Sequence, residues 1–87
     1  MQLTITEYLT DRPSTDRLEA ATADALSRAA ARVARPVAAL DEARVAVRDE
    51  GPLAVLEITV PWDADDREGT SLAANELATS LTRALAA

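Results

Sequence analysis

The sequence predicts an α+β fold of order β-α-β-β-α: a small, mainly antiparallel three-stranded sheet with two helices on one face. Three observations carry this. Apolar and polar residues alternate with a period of two over three short runs. Two longer stretches rich in Ala and Leu repeat their apolar residues every three or four positions. Gly51-Pro52 separates the second and third alternating runs closely enough to fold them into a hairpin. At 87 residues the chain is one domain, 1–87, near the small end of what folds alone.

Residues 2–8 set Leu3 and Ile5 against Thr4 and Thr6, the pattern of a half-buried strand. Asp11-Arg-Pro-Ser-Thr ends it, and Ser14 or Thr15 supplies the N-cap of a helix over 15–34. Leu18, Thr22, Ala25, Leu26, Ala29 and Val33 form its apolar stripe. Charges follow the macrodipole, with Asp16 and Glu19 early and Arg28, Arg32 and Arg35 late. Asp24 and Arg28 are spaced for an i,i+4 ion pair. Pro36 stops the helix by pushing Arg35 out of the α region.

Residues 37–41 are a connector that tucks Val37 and Leu40 under the sheet. In the next strand Ala43, Val45 and Val47 face one way, and Arg44, Ala46 and Arg48 the other. Residues 53–62 continue the alternation, with Ala54, Leu56, Ile58, Val60 and Trp62 toward the helices. Leu53, Val55, Glu57 and Thr59 lie opposite. Residues 63–69 form a polar loop or an irregular first turn, and the last helix spans 70–86, capped by Thr70 or Ser71. Leu77, Leu81 and Leu85 form its stripe, flanked by Ala73, Ala74, Ala78 and Ala84.

Composition excludes more functions than it suggests. There is no His, Cys or Lys, and the aromatics are Tyr8 and Trp62 alone. The usual general base, thiol nucleophile, Schiff-base amine and soft metal ligands are therefore missing. Fifteen acidic residues against nine Arg give a net charge of −6, which disfavours nucleic acid and anionic membrane surfaces. No apolar run approaches the length of a membrane span, and no cysteine reports on redox compartment, so the expected location is the cytoplasm. Twenty Ala leave eleven Leu, six Val and two Ile to supply most of a thin core, which favours burying further surface by self-association.

Each candidate site has a plain structural alternative. Asp63, Asp65, Asp66 and Glu68 resemble a cation loop only superficially: Arg67 and Glu68 occupy positions where an EF-hand needs an oxygen ligand and a turn Gly. They read instead as negative charge at a helix start. The Ser and Thr residues have no base to activate them. Neither a metal nor a cofactor is expected, and no catalytic residue is assigned. The open sheet face offers an interface instead, with Leu53, Val55, Arg44 and Arg48 as contact residues and Trp62 at its end. Arg44 and Arg48 also have Glu57 within cross-strand reach. Strand parity favours Trp62 as a plug that closes the sheet end against the helices, and Tyr8 is read the same way.

The Ala/Arg-rich helix up to Val33, the hairpin Ala43-Arg-Val-Ala-Val-Arg-Asp-Glu-Gly followed by Leu56-Glu-Ile-Thr-Val-Pro-Trp, and the Leu77-to-Leu85 helix together resemble small actinobacterial members of the alkaline-shock protein family. That resemblance covers about three quarters of the chain and implies a bacterial, non-catalytic cytoplasmic protein linked to envelope stress. Such a protein self-associates and is recruited to the membrane by an anchor protein. The expected function is accordingly a protein–protein interaction or scaffold role as a homo-oligomer. The alternatives are a tautomerase-like enzyme, disfavoured because Gln2 stands where such enzymes use Pro, and an acidic antitoxin-like inhibitor of a basic partner.

Overall fold

A computed structural model describes residues 1–34 and 37–86. In order, the chain forms β1 (Gln2–Leu9), α1 (Thr15–Val33), the short α2 (Ala38–Asp41), β2 (Arg44–Glu50), β3 (Leu53–Pro61) and α3 (Arg67–Ala86). The strands make one three-stranded sheet in the order β1-β3-β2, and both pairings are antiparallel. This is the expected α+β arrangement, and the first segment belongs to the same sheet as the hairpin. The most apolar strand, β3, takes the central position, where burial is greatest.

Strand parity places the core. Ile58 stands in register with Ile5 on β1 and Val45 on β2, and Leu56 stands opposite Val47. Leu56, Ile58 and Val60 are buried together with Ala21, Ala25, Ala29 and Val33 of α1 and Leu77, Leu81 and Leu85 of α3. Both long helices therefore cover one sheet face. Their spacing follows from side-chain size: Ala21, Ala25 and Ala29 succeed one another at four-residue intervals, and α3 opposes them with Ala73, Ala74 and Ala78. Small residues on facing stripes let two backbones approach closely, and α1 and α3 do so over much of their length. Ala21 extends this stripe by one further four-residue step, beyond the residues assigned to it from the sequence.

Local chemistry sets the helix ends. Ser14 caps α1, its Oγ accepting the Arg17 N–H at 3.2 Å. At the other end Ala34 adopts the left-handed conformation (φ 60°), and its N–H returns to the Ala30 carbonyl. The expected roles of Arg35 and Pro36 lie outside the described residues. The connector at 37–41 holds one helical turn, with Val37 and Ala39 buried and Leu40 packed partly against the core.

The start of the last helix differs from expectation. The helix begins at Arg67, not at residue 70, and Asp66 rather than Thr70 or Ser71 caps it. The Asp66 Oδ1 accepts the Gly69 N–H at 3.1 Å. Asp is as good an N-cap as Ser and carries the charge that suits a helix start. Asp63 makes a turn just before it, its Oδ1 accepting the Asp65 N–H at 2.9 Å.

Thr70 is thereby carried into the helix interior, fully buried, and its hydroxyl has no hydrogen-bond partner among the described residues. An unpaired buried hydroxyl costs about 1–3 kcal/mol. Thr70→Val keeps the shape and removes the group, so it is expected to stabilise the fold by about 1 kcal/mol. A urea midpoint that rises at constant slope bears this out; a falling midpoint means that the hydroxyl is satisfied.

Candidate interaction surface

The sheet has one covered face and one open face, and parity decides what the open face carries. Thr4, Thr59 and Arg44 form one cross-strand row, Thr6, Glu57 and Ala46 the next, and Tyr8, Val55 and Arg48 the third; Leu53 and Glu50 follow at the hairpin end. Arg48 is the electrostatic centre. Its Nε donates to the Glu57 carboxylate and its Nη1 donates to Glu50 at 3.0 Å. The hydrogen bond to Glu57 is the main reason that the Arg48 guanidinium is held above its ordinary pKa; desolvation opposes the rise. Arg44 forms no ion pair among the described residues.

The five expected contact residues differ in what they present. Leu53 is exposed at 43%, whereas Val55 is 0% exposed although it lies on the open face. Its flanking residues in register, Tyr8 and Arg48, are long enough to roof it, and Val55 is not part of the buried cluster beneath the helices. Arg44 and Arg48 lie on the face and are exposed, while Trp62 is half-buried beyond the end of β3. The Trp62 N–H donates to the Met1 carbonyl at 3.1 Å, tying that end of β3 to β1. Tyr8 does not plug the sheet end. Its ring stands on the open face with 62% exposure, because position 8 has outward parity. With Leu53 it is the large apolar surface of this face.

The open face has no net charge: Arg44 and Arg48 are matched by Glu50 and Glu57, in a chain whose total is −6. Negative charge therefore resides elsewhere on the molecule. Bringing two such faces together meets less repulsion than bringing together any acidic surface.

The remaining surface has chemistry of a different kind. A groove of about 630 Å³ between α1 and α3 is lined by Asp24, Arg28, Arg32, Glu76, Ser80 and Arg83, among others. Arg28 pairs with Asp24 at 2.9 Å, as its spacing implies, and Arg32 pairs with Glu76 at 3.6 Å. The hydroxyls of Thr22 and Thr82 donate to the carbonyls of Leu18 and Ala78, four residues back in their own helices. Among the described residues, no group of three or more Asp or Glu side chains is placed to hold a metal ion. No helix among them is long and apolar enough to cross a membrane. Compared with known proteins, the sequence matches no family model and no curated relative.

Proposed function

We propose that this chain is a non-catalytic protein that works by protein–protein contact and self-associates, using the open sheet face as a contact surface. One observation carries the reading: a sheet with helices on one face only, whose other face is electrically balanced and bears Tyr8 and Leu53 in the open. A half-covered sheet in a small domain gains by burying its second face, and an aromatic beside an aliphatic residue is the composition that interfaces favour. The resemblance to the alkaline-shock protein family implies the same kind of role, a self-associating cytoplasmic component of an envelope-stress response.

The test is the mass of the intact chain in solution, with Leu53→Lys as the probe. Lys at this position sits opposite Glu50 on β2, so the hairpin keeps a favourable pair. In a face-to-face contact that charge leaves water, and the desolvation cost can exceed what its pairing returns. The expected result is a smaller assembly with an unchanged circular dichroism spectrum. An unchanged mass rejects the sheet face as the contact.

A further inference from the structure

The open face alone is small. Three strands of about eight residues measure about 27 Å by 14 Å in plan, roughly 400 Å². A stable specific interface covers about 800 Å² on each partner. Joining two sheets side by side doubles this face in plan, and the two free edges of this sheet differ sharply in fitness for joining.

Backbone direction shows which groups each edge offers. Trp62 N–H donates to the Met1 carbonyl, so Met1 and the odd-numbered residues of β1 turn their main-chain groups toward β3. Pro61, which has no N–H, accordingly stands opposite Gln2 rather than opposite an odd residue. The N–H and C=O groups of Gln2, Thr4, Thr6 and Tyr8 therefore point to the free edge. On β2 the same alternation turns those of Val45, Val47 and Asp49 outward.

The β2 edge is guarded. It carries Arg44, Arg48, Asp49 and Glu50, and Arg12 reaches across to pair with Asp49. Charges along an edge strand deter pairing with another strand. The β1 edge carries one charge, Glu7, in a run otherwise made of Thr, Ile, Leu, Tyr and Gln. Beside it runs a groove between β1 and α3, lined by Ile5, Asn75, Thr79 and Thr82 and by one opposite-charge couple, Glu7 and Arg83.

We infer that a second copy of this chain pairs with β1 edge to edge, antiparallel about a two-fold axis at Ile5, making one continuous six-stranded sheet. This rests on the self-association reading and adds its seam. The register is fixed by the free groups: positions 2, 4, 6 and 8 are centred on residue 5, so this axis matches every outward N–H and C=O of one copy with those of the other. Thr4 then faces Thr6 of the second copy and Gln2 faces its Tyr8 on the open side, with Ile5 meeting Ile5 on the helix side. Glu7 falls opposite Leu3 of the second copy, away from the axis and exposed to water. The joined sheet doubles the open face in plan, with the helices of both copies on the other side.

The experiment combines molar mass by light scattering with amide hydrogen exchange on the intact chain. Thr4→Lys with Thr6→Lys sets like charges against one another across the seam and is expected to abolish it, leaving monomer. Thr4→Glu with Thr6→Lys sets opposite charges there and is expected to retain the wild-type mass. Both variants carry the same Thr6→Lys change, and position 6 stands opposite Glu57 within the chain, so the monomer keeps one cross-strand pair in common. In wild type, the Thr4 and Thr6 amides gain protection as concentration rises, while Val45 and Val47 do not. Wild-type mass in the double Lys variant, or unprotected Thr4 and Thr6 amides at every concentration, overturns the seam. Leu53→Lys separates the two readings: if it lowers the mass while the double Lys variant does not, the face contact stands without the edge. A chain that stays monomeric throughout overturns a second copy as the occupant.

Discussion

Leu56→Ala is expected to lower the free energy of unfolding by about 3 kcal/mol. Leu56 is fully buried on the central strand, between β1 and β2, and shares its buried cluster with residues of α1 and α3. Truncation forfeits the transfer energy of the removed methine and two methyl groups and leaves a cavity that strands held on both sides cannot collapse to fill. A chain of this length has a total stability of only about 4–13 kcal/mol, so the loss is a large share of it. Urea unfolding checks this: the midpoint falls while the slope is kept. Leu72→Ala is the control, since Leu72 is 47% exposed on α3 and its truncation changes stability by about 0.5 kcal/mol or less. Similar losses at both positions would contradict the assignment of the core.

Ala25→Leu is expected to destabilise the fold by about 2 kcal/mol for the opposite reason. Ala25 has no exposed surface and sits in the Ala stripe of α1 that allows close approach to α3. Three additional carbons there force the helices apart or push Leu77 and Leu81 off their rotamers. Leu and Ala are both strong helix formers, so the loss reads packing rather than propensity. Thermal unfolding checks it against Ala30→Leu, where the side chain is exposed and the midpoint is expected to stay within a few degrees. If Ala25→Leu is stabilising, the α1–α3 contact is looser than described.

Much of this fold is legible in the sequence, because residues with two-residue or four-residue spacing have one good way to bury themselves. Alternation in β1, β2 and β3 assigns their inward residues, and Leu77, Leu81 and Leu85 mark the buried stripe of α3. The cross-strand pair Arg48–Glu57 is legible too, since position and charge agree. Elsewhere two readings share one chemistry. Asp66, Thr70 and Ser71 are all competent N-caps, and nothing local ranks them. Ala21 is missed because Ala serves equally well on buried and exposed helix faces. The single turn of α2 is too short to show a period.

The contact surface is legible by the same logic but only to one level. Parity places Leu53, Val55, Arg44 and Arg48 on the open face, yet not what covers Val55. That depends on the strand order β1-β3-β2, which brings Tyr8 and Arg48 to either side of it. The two edges likewise become distinguishable only once β3 is known to be central.

One quantity bears on all of this: the molar mass of the unmodified chain, followed by light scattering as its concentration is raised. A polypeptide built to join with copies of itself gives a mass of two or more chains that falls toward one on dilution. A mass of one chain maintained into the high micromolar range contradicts the account.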